Sequence, residues 1–229
     1  MPHSRAATSY HDCIIIRISH KNASNLVLAG RAGRREFSRD VLSCESQDAS
    51  CKERFENMAL VIWAVPDLHD DDAIERLSRD QPEWSIEVDS DGSLLVSPAY
   101  SEGGSRNLEA GLQLAAIAKI HGGKTFGSST GFRLTDVSVR SPDASWISAE
   151  RIASLSPEDR SKYWRVCPDV VIEILSDSDS WPTLLLKLDM YERNGAPFAV
   201  AIDPYKRRVD SRGEPPRGLH LDYDAIIDA

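Results

Sequence analysis

The chain has 229 residues, of which 41% are hydrophobic and 28% charged, and a formal net charge of −9. That length suits one sizeable domain with appendages, and no apolar run approaches the roughly 18–20 residues that a membrane span needs. The acidic balance speaks against a protein that coats nucleic acid through bulk attraction, since such proteins usually carry a basic face.

Residues 1–57 hold nine Lys/Arg and seven Asp/Glu, a local charge of +2 against −11 for the rest. Stretches such as SRAATSYH and SCESQDASCKER lack sustained helix or strand periodicity. This part reads as a disordered or non-native extension, and residues 58–229 as the ordered domain. The short apolar patch Cys13–Ile16 is followed by no cleavage site, so a secretory signal is not expected and a cytoplasmic location follows. Four cysteines without a CxxC pair and six scattered histidines support neither a zinc site, nor a disulfide framework, nor a Ser/His/Asp triad. Cys167 reads as a small buried residue beside a strand.

Asp70 begins a short helix, DDAIERLSRD, whose acidic first turn suits the positive end of a helix dipole. The cluster His69–Asp72 is therefore a solvated helix start rather than a set of metal ligands. WSIEV and SLLVS flank Asp89–Gly92, and a DG step between two apolar runs predicts a hairpin. SEGGS, Ser101–Ser105, is predicted as a loop; its glycine pair lacks the spacing of a phosphate-cradling loop. Asn107 opens the helix LEAGLQLAAIAKIHGG, closed by Gly122 and Gly123. KTFGSS, GFRLTD and PDASWIS follow as three strands of a meander. Ala149 to Tyr163 is a helical insertion, with Ser156 and Pro157 at N-cap and N1 of its second part. VVIEIL has the pattern of a strand buried on both faces. Trp181 and Pro182 begin the helix TLLLKLDMYERNG, which stops at Gly195, and FAVAID is a second buried strand that turns at Pro204.

A carboxylate inside a buried strand costs several kcal/mol unless it is paired or bound to a cation, so Glu173 in VVIEIL requires a partner. Asp143 starts PDASWIS, where alternation turns Asp143 and Ser145 to one face. Lys187 sits among Leu184, Leu185, Leu186 and Leu188, either snorkelling or held toward something anionic. Together the three form a coherent set. Two carboxylates on adjacent strands supply hard oxygen ligands for Mg²⁺, and an ammonium beside them orients water or stabilises charge developing on a phosphate.

Over about residues 74–210 the sequence resembles the Uma-type restriction-endonuclease-like family within the PD-(D/E)XK nuclease superfamily. The segments that carry the resemblance are WSIEVDSDGSLLVSP, GKTFGSSTGFRL, SPDASWIS, CPDVVIEILSDSDSW and KLDMYERNGAPFAVAIDP, in that order and spacing. The resemblance implies an α/β fold, a restriction-endonuclease-like mixed sheet flanked by helices with an N-terminal hairpin addition. It implies a metal-dependent endonuclease that hydrolyses DNA phosphodiester bonds with Mg²⁺ or Mn²⁺, and a homodimer. The family's motif aspartate falls on Asp143, its acidic strand residue on Glu173 and its lysine on Lys187. The superfamily's usual lysine position, two after the acid, is Leu175 here, so the lysine is displaced to the following helix. Glu109 is the candidate for an upstream helical carboxylate that completes the metal site. Glu87 matches a family glutamate and reads as one half of a strand-edge ion pair. Asp169 and Tyr191 read as supports for Glu173 and Lys187. The alternatives are a nuclease-fold DNA-binding or regulatory module that has lost hydrolysis, and a metal-dependent hydrolase of a small phosphate.

Overall fold

The computed structural model describes residues 14–18, 26–29, 69–82, 84–92, 94–98, 102–176 and 179–229. Strands β1 (Ile14–Ile18) and β2 (Leu26–Ala29) are described at the backbone only. The reading of the remainder of residues 1–57 as an extension lies outside the described residues, as do Cys13, Cys44 and Cys51.

Helix α1 (Asp71–Asp80) is capped by Asp70, whose side chain accepts from the Asp72 amide. The hairpin β3 (Trp84–Val88) and β4 (Leu94–Pro98) turns where the DG step predicts, with Gly92 at φ +79° and its amide donating to the Asp89 carbonyl. Helix α2 (Glu102–His121) starts earlier than Asn107, so Glu102–Ser105 of the predicted loop are helical; Ser101 lies outside the described residues. Two glycines cost such a helix about 1 kcal/mol each. Tertiary contacts offset that cost, because Ser105 Oγ donates to the Ala229 carbonyl and Arg106 Nε to that of Ile227.

The meander is also redrawn. Strands β5 (Lys124–Gly127), β6 (Phe132–Arg133), β7 (Val139–Arg140) and β8 (Ala144–Ile147) follow each other in the chain, yet β5 pairs with β8. The intervening β6–β7 pair joins the other sheet through β3. The approach of β5 to β8 needs a glycine before it: a Cβ on Gly123, at φ +88°, would lie 2.1 Å from the Ile147 carbonyl oxygen. Helix α3 (Ala149–Ser154) is capped by Ser148, and the second half of the predicted insertion is no more than a turn. Ser156 and Asp159 bond reciprocally there as at a helix start, but Lys162 at φ +75° ends it.

β9 (Val170–Ile174), α4 (Trp181–Arg193) and β10 (Phe198–Asp203) form a strand–helix–strand unit with β9 and β10 parallel. Ser180 caps α4, with Pro182 in its first turn. The chain then adds β11 (Arg208–Gly213), antiparallel to β10, and helix α5 (Tyr223–Asp228).

Two sheets result. One has the order β2-β1-β4-β3-β7-β6, the other β11-β10-β9-β8-β5. The second is mixed, with helices on both faces. On one face Val170, Ile172 and Ile174 pack with Ala110, Leu114 and Ile117 of α2 and with Ile226 and Ile227 of α5. On the other, Val171 and Leu175 pack with Leu184, Leu188 and Tyr191 of α4. The period-two alternation of β9 assigns Glu173 to the α4 face. In the first sheet Ile86 and Val88 of β3 pack with Ile74 and Val139, which turns Glu87 to the opposite side. Among the described residues, no helix is long and apolar enough to cross a membrane.

Candidate active site

Glu173 is buried at 3% exposure in the middle of β9. One carboxylate oxygen, Oε2, accepts from Lys187 Nζ at 3.0 Å, and Oε1 accepts from the Tyr191 hydroxyl at 2.8 Å. Both partners lie on α4, four residues apart and hence on one helix face. A lysine displaced from the strand thus still reaches the strand's acid, because α4 packs back over β9. Tyr191 is fully buried and bonds to Glu173 rather than supporting Lys187, the role its helical spacing suggested.

Asp143 immediately precedes β8. The register Ala144↔Ile172 leaves it level with Glu173 on the neighbouring strand. Its Oδ2 accepts from the Ile174 amide at 2.7 Å, and its Oδ1 from the Asn107 side-chain amide at 3.0 Å. Burial is the chief influence on both acids. It pushes Asp143 up to about 6, against the opposing pull of the Ile174 amide and Lys187. Glu173 is pushed up to about 8, because burial and repulsion from Asp143 and Glu87 outweigh the attraction of Lys187. Burial works against the Lys187 ammonium as well, but Glu173 and Glu87 outweigh it and raise its pKa. Lys187 therefore stays protonated near neutrality, and the two carboxyls release their protons at higher pH than acids in water, Glu173 later than Asp143.

A third carboxylate enters from the other sheet. Glu87 is 8% exposed, and its Oε1 lies 3.4 Å from Lys187 Nζ. The same oxygen accepts from the Ser141 amide at 2.7 Å, and Oε2 faces an Arg140 guanidinium nitrogen at 3.5 Å. Burial would raise its pKa, but Lys187, Arg140 and the Ser141 amide together lower it. The expected ion pair is present, though not at a strand edge, since β3 lies between β4 and β7. Arg140 is itself buried and also pairs with Asp89 at 2.8 Å.

Glu109 is not brought to this cluster. Its carboxylate accepts from the Gln113 side chain, and Gln113 also bonds to the Asp222 backbone beside α5. The helix residue at Asp143 is Asn107. Two helical positions are about 200° apart around the axis, so both cannot face the same site. Asp169 supports something other than the cluster: it accepts from the Ser148 amide and pairs with Arg151, fastening the start of α3 to β9. Among the described residues, no group of three or more His, Cys, Asp or Glu is placed to hold a common ion. Cys167 is buried and pushed up to about 12 by that burial, the inert thiol its sequence context predicts.

A family model described as "Putative restriction endonuclease", Uma2, matches residues 71–220. The chain belongs to the Uma2 family. The match takes in every residue of the cluster, from Glu87 on β3 to Tyr191 on α4. Among solved structures, a crystal structure from Anabaena variabilis, titled a "putative nuclease" belonging to DUF820, superposes with a TM-score of 0.53 at 17% identity. That alignment covers 69% of this chain and 97% of the other, and at such identity it establishes the shared fold. No curated protein matches.

Three members of the Uma2 cluster have little or no sequence signal as such. Asn107 reads only as a helix opener, Glu87 as one half of a strand-edge ion pair, and nothing in the sequence singles out Arg140. Glu87 and Arg140 pair with each other within the first sheet, and Lys187 on α4 adds the contact from across.

Proposed function

We propose that residues 58–229 form a nuclease domain that hydrolyses DNA phosphodiester bonds, with Asp143 and Glu173 holding Mg²⁺ or Mn²⁺ and Lys187 acting on the phosphate. The observation that carries this reading is the Lys187–Glu173 contact of 3.0 Å, with Asp143 level with Glu173 on the adjoining strand. DNA is taken as the substrate from the family's description. The donor set fits a hard divalent cation: two carboxylates that burial leaves short of positive charge. Two protein carboxylates are enough for Mg²⁺, which keeps several waters and takes further oxygens from a phosphate.

When bound, the cation supplies Lewis acidity and lowers the pKa of coordinated water. In the reaction, water adds to phosphorus as the bond to the leaving sugar oxygen breaks, and that oxygen gains a proton. Lys187, held as an ammonium, stabilises the negative charge that grows on the phosphoryl oxygens. Tyr191 and the Ile174 amide fix the orientation of Glu173 and Asp143. Asn107 steadies the second Asp143 oxygen. Lys187 retains 23% side-chain exposure, leaving that flank of the cluster open to a phosphate. We also propose a homodimer, checked by light scattering; Leu108 and Leu112, one turn apart on α2 and 64% and 57% exposed, are an apolar pair open to a second copy.

The test is calorimetric Mn²⁺ binding alongside plasmid cleavage. Asp143→Asn and Glu173→Gln weaken metal binding sharply, because each removes a ligand charge. Lys187→Ala keeps metal affinity or raises it, while cleavage falls by roughly two or more orders of magnitude, about 3 kcal/mol of transition-state stabilisation. Wild-type protein that binds no divalent metal and nicks neither plasmid nor single-stranded DNA rejects the nuclease reading and favours a DNA-binding module.

A further inference from the structure

On the nuclease reading, Glu173 carries two conflicting duties. Its Oε1 is committed to Tyr191 and its Oε2 to Lys187, so a cation that takes Oε2 competes with the ammonium for one oxygen. A lysine projecting from a helix on a flexible four-carbon stem would swing away once that oxygen is lost. Glu87 offers the ammonium a second anion. It lies 3.4 Å from Lys187 and comes from the opposite sheet. Its own position is fixed twice, by the Ser141 amide at 2.7 Å and by Arg140. Arg140 in turn is anchored by Asp89 at the hairpin turn.

We propose that Glu87 is a positioning residue that retains Lys187 at the site when Glu173 engages the cation, with Arg140 and the Ser141 amide holding Glu87 in place. The inference rests on the metal-dependent nuclease reading, and it makes the β3–β4 hairpin a working part of the site rather than an addition to the nuclease core. Without Glu87, the ammonium falls back on Glu173 and opposes the metal there.

The experiment is a double-mutant cycle in the full chain, reading Mn²⁺ affinity by calorimetry for wild type, Glu87→Gln, Lys187→Met and the double variant. The Glu87→Gln change conserves side-chain volume, and the amide carbonyl it introduces can still accept from Ser141. Glu87→Gln should weaken Mn²⁺ binding roughly tenfold when Lys187 is present and by less than about twofold in the Lys187→Met background, since coupled neighbours act non-additively. An equal loss in both backgrounds, or none in either, overturns the proposal, because a merely structural or purely electrostatic Glu87 does not act through Lys187. Should Glu87→Gln fail to fold, Glu87→Asp, which withdraws the carboxylate by one methylene, gives the same reading. If the wild type binds no Mn²⁺ the nuclease reading fails first. Urea unfolding of the four metal-free chains then tests the contact itself: coupling of about fivefold or more in the unfolding equilibrium supports it, and additivity overturns it.

Discussion

Raising the pH should destabilise the metal-free protein across a range in which most proteins are most stable. Asp143 titrates near 4 when unfolded and is pushed up to about 6 by burial in the folded chain; Glu173 rises to about 8. Between those limits the folded state binds more protons than the unfolded state, so stability is full below about pH 4 and falls as pH rises through the folded values. A shift of roughly 2 units at Asp143 is worth about 3 kcal/mol, and Glu173 adds a loss of the same order. Against a total of about 5–15 kcal/mol for a typical domain, the fall is large enough to measure. Glu87, Asp136 and Asp203 are lowered instead; their stabilisation is lost only in acid and stays constant above about pH 5. Urea melts in chelator at half-unit steps from pH 5 to 8.5 should therefore show a falling midpoint, and Glu173→Gln should remove most of the fall, including nearly all of it above the range around about pH 6 in which Asp143 ionises. Mn²⁺ at about a hundred times its Kd should restore about 2.7 kcal/mol at the alkaline end. A midpoint that stays level or rises from pH 5 to 8.5 without metal would refute the assignment of two proton-holding carboxyls to this site.

Asn107→Ala should cost about 1–2 kcal/mol of stability, since it leaves a half-buried carboxylate oxygen without its donor, whereas Glu109→Ala should leave Mn²⁺ binding within about twofold of wild type; calorimetry and melts on both check the choice between the two α2 residues. Cys167 should resist a disulfide-exchange reagent in the folded protein and react only as fast as the chain unfolds, given its burial and its pKa of about 12. A chain beginning at Met58 should keep the cooperative melt of the full protein; loss of the folded state would place β1, which pairs with β4, and β2, which pairs with β1, inside the domain.

Elements whose sequence carries its own punctuation were legible in advance. Asp70, the Asp89–Gly92 turn, the Gly122–Gly123 stop, Trp181–Pro182 and Gly195 all mark boundaries through backbone chemistry that acts within a few residues, and the structure breaks where they stand. The misread segments depend on distant partners. Glu102–Ser105 are helical with support from the carbonyls of Ile227 and Ala229, more than a hundred residues away, which accept from Arg106 and Ser105. β5 and β8 pair across an excursion into another sheet, which no local periodicity encodes.

The site divides along the same line. Glu173 stands out because a charge within VVIEIL violates the strand's own pattern, and Lys187 because it interrupts a run of leucines. Glu87 violates nothing: in WSIEV a polar residue between two buried ones is what a half-exposed strand requires. Its burial is a property of how the first sheet meets the second, with Lys187 and Arg140 supplying the compensation that makes it tolerable. The net charge of −9 becomes less of an objection to a phosphate-cleaving site for a related reason. Three of the acidic residues behind it are gathered at one cluster, where Glu173 and Glu87 face the Lys187 ammonium, Glu87 also faces the Arg140 guanidinium, and Asp143 lies beside Glu173. A bound divalent cation would reverse the local balance there while leaving the total negative, so what a DNA strand meets at the site is set by the cation and Lys187, not by the sum over the chain.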